Sequence, residues 1–503
     1  MHGAAQPAIS GVLFGLSPLL VSLTVFVATY VVIVTERINR AIVALLGAGV
    51  MIMSGVLHQS EAFAGIDFNT IGLLTGMMVI VAITQKSGVF QYVAVKSAKL
   101  VKADPWGLLV MLALVTALFS ALLDNVTTVL LVAPVALLIT DALRISPYPY
   151  LFSLIFASNI GGTATLIGDP PNIMIGSAVG LTFNEFAFNL APLALLALAL
   201  TMLPIWWFWG RKLVASPEQR AQVMAFDERA AITDVKLLKQ SLMVIALTIA
   251  GFVFSHALGL EPASIAMFGA ALLLLLRALG QNSEQQSLLV HKSFAEVEWV
   301  TIFFFVGLFV VVAGVEKAGA LKLAADALIN FTGGELALTA YVILWASAII
   351  SAVVDNIPFV ATMIPVIQNL GPVVGPENLN TLWWSLALGA CLGGNGSLVG
   401  ASANLVVAGF AERAGQPIRF LPFMLGAFPL MLLSIAVSHL YIGGATSPDS
   451  QCPLSRTSCV RKAAFFQATS VACFFTVVGR AESLGRAEAR VALLGFFAVC
   501  RPK

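Results

Sequence analysis

Long apolar segments, separated by short polar connections, make up most of this chain. Each of them is close to the roughly 20 helical residues that cross a bilayer. They cover residues 10–34, 38–57, 69–85, 149–180, 188–210, 241–259, 262–279, 299–315, 383–410 and 420–443. The pattern predicts an all-α polytopic membrane protein.

Two further apolar stretches, 107–143 and 336–370, are each interrupted at the centre by an Asp-Asn pair, at Asp124 and at Asp355. The interruption leaves arms of only about 13–18 residues, which is short for a full crossing. We therefore predict that each stretch is a re-entrant hairpin, which enters and leaves the membrane on one side.

The second half of the chain repeats the first. The Asp-Asn pair at Asp124 recurs at Asp355, and the polar segment 161–172 recurs as 393–404. The offset stays at 231 or 232 residues, so the match indicates a duplication. Each half holds five spanning segments, an odd number, and the second half therefore starts on the opposite side of the membrane. The prediction is two inverted repeats, each with about five transmembrane helices, a re-entrant hairpin and a broken helix, as in secondary transporters.

Basic residues give the predicted orientation and divide the chain. With the N-terminus outside, the inner loops hold 17 Lys and Arg residues and the outer loops hold 2, as the positive-inside rule requires. The predicted parts are the first repeat at 10–210, a cytoplasmic linker at 211–240, the second repeat at 241–443 and an atypical basic tail at 444–503. The tail has no counterpart in the repeat, and we assign it no transport role.

Composition narrows the function classes. Hydrophobic residues make up 59% of the chain and charged residues 10%, against about 25% charged residues in soluble proteins. A soluble fold, disorder and nucleic-acid binding are thereby excluded for the whole chain. The sequence lacks His-Glu and Gly-x-Ser-x-Gly motifs, so it is not expected to be an enzyme. The five cysteines fit no metal motif, and Cys391 is interpreted as a core residue.

Candidate chemistry lies where polar residues interrupt the apolar segments. A carboxylate at mid-membrane costs about 2.5–3.5 kcal/mol on insertion scales. Asp124 and Asp355 are therefore candidates for ion binding, although each could simply cap the helix that follows. The Gly-Gly segments and the Asp169-Pro-Pro sequence predict unwound backbone, which is tolerated in a bilayer only where it is buried or lines a cavity. Unwound carbonyls suit a cation, whereas half-helix N-termini with Thr and Asn suit an anion or a neutral oxyacid.

The predicted substrate- and ion-binding residues come from both hairpin tips and both broken helices. They are Asp124, Asn125, Thr127, Thr128, Asn159, Gly161, Gly162, Thr163, Thr165, Asp169, Asn172, Asp355, Asn356, Gly393, Gly394, Asn395, Ser397 and Asn404. No metal site, cofactor or catalytic residue is predicted. The expected coupling ion is H⁺, carried by Asp124, Asp169 or Asp355, with Na⁺ as the alternative.

The motifs DNVTT at 124–128, SNIGGTATLIGDPPN at 158–172 and DNIP at 355–358 resemble the ion transporter superfamily with citrate-transporter-like domains. The resemblance covers about 10–443 and is to the branch of ArsB-type arsenite permeases, NhaD-type sodium/proton antiporters and the P protein. It implies a homodimer with an elevator-like transport domain, in which hairpin tips and unwound segments hold substrate and coupling ion. Dicarboxylate carriers of the superfamily have a pattern that resembles Ser-Asn-Thr at their hairpin tips. The Asp-Asn tips of this chain argue against a carboxylate substrate, because the added acid would repel it.

These observations predict a transporter of a small inorganic substrate in the inner (cytoplasmic) membrane. The first hypothesis is proton-coupled efflux of arsenite or antimonite, because undissociated arsenite is a small neutral trihydroxide that Asn, Thr and backbone groups would suit. The alternative is sodium/proton antiport, followed by transport of another inorganic anion or a carboxylate. A soluble ATPase subunit is a further candidate partner, since the chain has no Gly-Lys dipeptide and hence no Walker A loop.

Overall fold

A computed structural model describes residue 12, residues 15–35 and residues 37–446, and in this part of the chain the regular structure is entirely helical. The α-helices are α1 Pro18–Val34, α2 Arg40–Met53, α3 Gln59–Ala64, α4 Phe68–Gln85, α5 Val89–Leu100, α6 Pro105–Leu122, α7 Asn125–Ala142, α8 Tyr148–Thr163, α9 Pro170–Val179, α10 Phe183–Phe208, α11 Pro217–Met224, α12 Val235–Leu258, α13 Pro262–Ala278, α14 Ser283–Ala295, α15 Trp299–Lys317, α16 Ala320–Thr332, α17 Leu336–Ser351, α18 Asn356–Gln368, α19 Gly371–Val374, α20 Leu379–Gly393, α21 Ser402–Arg413 and α22 Phe420–Thr446. The described residues end at Thr446, so the predicted basic tail from residue 447 onward lies outside them.

Seven of the described helices are long and apolar enough to cross a membrane: α4, α6, α7, α10, α12, α15 and α22. Helices α1, α2, α13, α17 and α18 are apolar but shorter. Exposed side chains on α12, such as Leu242, Leu247 and Phe254, are large and apolar, as expected of a surface that faces lipid rather than water. The predicted all-α membrane fold class is confirmed.

Equivalent contacts recur in the two halves. Ser120 on α6 donates a hydrogen bond to the Ser158 carbonyl on α8 (2.5 Å), and Ser351 on α17 donates to the Ala390 carbonyl on α20 (2.7 Å). The two repeats also exchange partners, because α4 packs against α13 and α2 packs against α15. The core of the protein is therefore shared between the repeats rather than built once in each.

The two hairpins are α6–α7 and α17–α18. The first has arms of 18 residues, longer than a half-crossing needs, and the second has arms of 16 and 13 residues. At the first tip Leu123, Asp124 and Asn125 are buried, and at the second tip Ala352 and Asn356 are buried whereas Val353 is 61% exposed. A spanning helix pair would place its turn in water, so the buried residues at the first tip and the exposed apolar residue at the second favour the re-entrant interpretation.

The predicted unwinding at the glycine pairs is wrong for the first repeat. Helix α8 continues through Gly161 and Gly162 and ends at Thr163, and the unwound segment follows at 164–169. Pro170 does not end a helix but begins α9, since a first-turn proline has no N–H to leave unpaired and its φ suits the helix. In the second repeat α20 ends at Gly393, the first glycine of its pair, and a short 3-10 turn at Gly394–Gly396 begins the break before α21.

The polar linker is attached to the first repeat. It contains the short helix α11, and its last residues form the first turns of α12, which begins at Val235. Arg220 forms an ion pair with Asp104 (3.2 Å), and Glu228 forms one with Lys99. These contacts fix the linker beside the entry to the first hairpin.

Candidate functional site

Both hairpin tips begin their second arm with an Asp that caps it. Asp124 Oδ1 accepts a hydrogen bond from the Thr127 N–H (2.7 Å), and Asp355 Oδ1 accepts one from the Ile357 N–H (3.1 Å). An N-cap carboxylate satisfies a free helical N–H and interacts favourably with the helix dipole. Capping leaves the second oxygen of each carboxylate to act elsewhere, so it does not exclude an ion-binding role.

Four asparagines connect the first hairpin to both broken helices. Asn159 on α8 is the centre: its Nδ2 donates to Asn395 Oδ1 (3.0 Å) and to Asn404 Oδ1 (2.9 Å). Asn125 Nδ2, at the hairpin tip, donates to Asn159 Oδ1 (3.2 Å). All four side chains are buried. We call Asn125, Asn159, Asn395 and Asn404 the amide cluster, and it joins residues from both repeats.

Two asparagines fix the unwound segments. Asn172 Nδ2 on α9 faces the carbonyls of Gly162 (3.3 Å), Thr163 (3.2 Å) and Thr165 (2.9 Å). Its counterpart in the second repeat, Asn404, uses its Nδ2 in the same way.

Asn404 Nδ2 donates to the carbonyls of Gly394 and Ser397, both at 2.8 Å. Buried carbonyls that leave a helix need such donors. These two side chains therefore hold the non-helical backbone that the sequence predicts.

Glycine allows the broken helices to approach the hairpins. A Cβ at Gly161 would lie 2.3 Å from the Ala117 carbonyl oxygen, and one at Gly393 would lie 2.6 Å from the Ala348 carbonyl oxygen. A Cβ at Gly162 or Gly394 would meet the backbone of its own unwound segment, at 2.6 Å and 3.0 Å. The four predicted glycines are thus positioning residues that bring backbone against backbone.

Asp169 is the most enclosed acid of the site, with 1% of its surface exposed. Its side chain does not cap α9. Oδ1 lies 3.5 Å from Nδ2 of Asn356 at the second hairpin tip, and Oδ2 has no hydrogen-bond partner among the described residues. The first repeat's unwound segment thus meets the second repeat's hairpin.

The predicted Thr and Ser residues divide into two groups. Thr163 and Thr165 hydroxyls donate to the carbonyls of Asn159 (2.8 Å) and Ala121 (2.5 Å), and Ser397 Oγ accepts from the Val399 N–H (3.2 Å). These three side chains form hydrogen bonds with backbone groups. Thr128 Oγ1 is buried without a partner in the described structure, and Thr127 is half-buried beside the cap that it forms with Asp124.

Arg40, one of the 17 basic residues assigned to the inner loops, belongs to the site. Its Nη1 lies 2.9 Å from Asp355 Oδ2 and 2.6 Å from Ser402 Oγ, and its Nη2 lies 3.3 Å from Thr301 Oγ1. The guanidinium also stacks over the Phe304 ring at 5.0 Å. Arg40 begins α2, so it connects the second hairpin to a helix outside the two hairpins and the two broken helices.

Cys391 is buried, as expected of a core residue, but it also reaches the site. Its Sγ lies 3.5 Å from Asn172 Oδ1. The repeat offset gives the signal that could have found it, since 232 residues separate it from Asn159. The Asn159–Asn404 contact and the Cys391–Asn172 contact are therefore equivalent contacts in the two repeats.

Comparison with known proteins identifies the family. The citrate transporter family matches residues 30–389. An uncharacterized transporter of Mycobacterium bovis is 42% identical over 84% of this chain and 97% of its own length. An uncharacterized transporter of Synechocystis is 32% identical over the same shares. The human P protein is 32% identical over 84% of this chain and 59% of its own length.

The fold has a counterpart of known structure. The YdaH transporter of Alcanivorax borkumensis, described as having an unusual topology, matches with a TM-score of 0.53 and 13% identity, over 86% of this chain and 98% of that one. At this identity the match concerns the fold alone. Together with the family match, it establishes that this chain is a membrane transporter of the citrate transporter family, within the ion transporter superfamily.

Proposed function

We propose that this chain is a secondary active transporter that exports a small neutral trihydroxide of the arsenite or antimonite type in exchange for protons. The proposed location is the inner membrane with the N-terminus outside, on the basis of the 17 to 2 distribution of Lys and Arg. A homodimer and a soluble ATPase subunit are the proposed partners. The amide cluster carries the substrate assignment, and the buried carboxylates carry the coupling assignment.

The hydrogen-bond network determines how each amide is oriented. Asn404 Nδ2 must donate to two backbone carbonyls, so its Oδ1 faces Asn159 and fixes Asn159 Nδ2 as a donor. Asn395 then presents Oδ1 to Asn159, and Asn125 presents Nδ2 to Asn159 Oδ1. Within the amide cluster, the atoms left without a partner among the described residues are one acceptor, Asn125 Oδ1, and one donor, Asn395 Nδ2.

A buried polar atom without a partner costs about 1–3 kcal/mol, so such atoms suggest a ligand. A hydroxylated neutral solute offers both the donor that Asn125 Oδ1 lacks and the acceptor that Asn395 Nδ2 lacks. A bare cation would use the acceptor only. This pairing of one free donor with one free acceptor is the observation that carries the proposal.

Charge argues against citrate, although the family is named for it. Asp124, Asp169 and Asp355 contribute three carboxylates, and Arg40 is the cation that contacts one of them. With all of them ionised, the site has an excess of negative charge. Burying a further carboxylate beside it without a compensating cation is strongly unfavourable.

Sodium/proton antiport is the second candidate. Asp169 Oδ2 and Asn125 Oδ1 are buried oxygens without partners in the described structure, and oxygen atoms are the ligands that hard cations prefer. Under this alternative the free Asn395 donor has no role. Removing it therefore separates the two candidates.

The test is growth of a strain that lacks both its arsenite and its sodium efflux systems. We expect the chain to restore growth on arsenite but not on high NaCl, and everted vesicles to accumulate arsenite when a proton gradient is imposed. Asn395→Ala should abolish arsenite transport at an unchanged membrane level. Asn369→Ala is the control, because in the described part of the chain that side chain makes one hydrogen bond, to the Pro365 carbonyl at the far end of α18. Growth on NaCl alone would replace the proposal by sodium/proton antiport.

A further inference from the structure

Arg40 breaks the pseudo-symmetry of the two repeats. Gly47 on α2 and Gly269 on α13 are equivalent, because a Cβ at either would meet a threonine of the preceding helix, Thr29 at 2.5 Å or Thr248 at 2.4 Å. Counting back seven residues from each glycine pairs Arg40 with Pro262. The second repeat therefore has no cation where the first has Arg40.

The asymmetry extends to the carboxylates. Asp355 is in an ion pair with Arg40, with 14% of its side chain exposed against 26% for Arg40. Its repeat counterpart Asp124 has no ion pair among the described residues, and its Oδ1 accepts only from the Thr127 N–H. Only the second hairpin tip is thus connected to α2 by charge.

We propose that Arg40 is the resident cation of the Asp355 site, and that a coupling cation must take its place on Asp355 Oδ2 before the second hairpin can leave α2. A proton does so by neutralising the carboxylate, and Na⁺ does so by occupying the position of the guanidinium. Arg40 is therefore a positioning residue for coupling rather than a substrate ligand. The proposal rests on the proposed transport function only in taking the second hairpin to move.

The partners of Arg40 are suited to such an exchange. Ser402 donates to Asp355 Oδ2 (3.1 Å), and Thr301 donates to Glu298 (3.2 Å), so the guanidinium lies among oxygens that could also ligate a small cation. When Arg40 leaves Asp355, its contacts with Thr301 and the Phe304 ring can retain it on the α2–α15 side.

Few other charged groups can influence this carboxylate. The cap residue Glu298 of α15 is half-buried, and Asp169 lies beyond Asn356. Helix α16, which also packs against α18, carries Lys322 and Asp326 at exposed positions. The nearby acids are negative, and among the described residues Arg40 is the one cation in contact with Asp355, so loss of this pair leaves the second tip without charge compensation.

The test is hydrogen–deuterium exchange of the purified full chain in lipid nanodiscs, without any transport substrate. Exchange at residues 352–358 reports the second tip, and exchange at 121–127 reports the first tip as an internal reference. We expect Na⁺ or a lower pH to raise exchange at the second tip relative to the first in the wild type. We expect Arg40→Gln to raise it roughly five- to thirtyfold, the effect of losing a half-buried pair, and to make it independent of the cation.

Three variants complete the design. Arg37→Gln removes an exposed charge three residues away and should leave both tips unchanged. Arg40→Lys keeps the charge and should preserve the cation response. Asp355→Asn keeps a side chain that can cap α18. It should show the same raised, cation-independent exchange at the second tip, and it supplies the test if Arg40→Gln does not fold.

Two results would overturn the proposal. One is a wild-type second tip that responds neither to Na⁺ nor to pH. The other is an effect of Arg37→Gln equal to that of Arg40→Gln. Because no substrate is present, a failure of arsenite resistance would leave these results and their interpretation unaffected.

Discussion

Replacing Gly161 by alanine measures how tightly the broken helix of the first repeat is pressed against the hairpin. The new Cβ would lie 2.3 Å from the Ala117 carbonyl oxygen and 2.5 Å from the Ala117 Cα. Both are backbone atoms, so α6 and α8 must separate by about 1 Å to reach ordinary contact. Overpacking of this kind costs about 1–3 kcal/mol.

Alanine also has a favourable effect that must be subtracted. In a helix interior it stabilises by about 0.5–1 kcal/mol relative to glycine. Gly409 on α21 is the matched control, because a Cβ there meets nothing within 4 Å. Gly409→Ala should therefore stabilise, and Gly161→Ala should fall below it by about 1–3 kcal/mol, the cost of the clash alone.

Thermal unfolding in one detergent, followed by tryptophan fluorescence, gives the comparison. A chain of this length shifts its Tm by only about 1 °C per kcal/mol, so the order of the variants matters more than the size of any one shift. The expected order is Gly409→Ala above wild type, and Gly161→Ala and Gly393→Ala below it with reduced transport. Equal stability of Gly161→Ala and Gly409→Ala would refute the close approach of α6 and α8.

Three further predictions follow from single contacts. Asn172→Ala and Asn404→Ala should each lower the Tm, because each removes the amide that donates to the carbonyls of an unwound segment; a wild-type Tm for either variant would contradict this role. The Lys317 hydrogen bond lowers the pKa of Glu61 from its ordinary 4.5, so its stabilising effect is complete above pH 4.5 and is lost as the pH falls through the lowered pKa. The Tm difference between wild type and Glu61→Gln should therefore be seen at neutral pH and vanish in acid, whereas a constant difference would exclude the ion pair as its source. Asp124→Asn should keep its Tm, since Asn also caps helices, but lose transport in vesicles; wild-type flux would leave capping as the only role of Asp124.

The sequence was sufficient to predict the parts of the site that depend on local chemistry. An Asp before an apolar run predicts a helix cap, and Asp124 and Asp355 are both caps. The 231-residue offset predicts equivalent contacts, and Ser120 and Ser351 make them. Local rules also explain the wrongly predicted break at Gly161 and Gly162. Glycine has a low helix propensity, but the helix continues there because its close packing requires residues without a Cβ.

The remaining parts of the site depend on contacts between residues that are far apart in sequence. Arg40 and Asp355 are separated by 315 positions, and a loop-like position next to Asn39 gives no sign of this partner. The direct bond between Asn159 and Asn404, 245 positions apart, was likewise not predictable, although both residues were expected in the site. Repeat symmetry could not help with Arg40, because Arg40 is where the symmetry fails.

The exchange of partners between the repeats has a consequence for biosynthesis. Helix α4 packs against α13, and roughly 190 residues must be made between the end of the first and the end of the second. At about 5–20 residues per second, α4 waits in the membrane for roughly ten to forty seconds before its partner arrives. During that time only lipid or an insertion factor can cover its interface, including Gly72 and Gly76, which later contact α13. The first repeat is therefore expected to be a client of the membrane insertion machinery until the second is complete, and a ribosome that stalls in the linker would release a half that cannot close its own core.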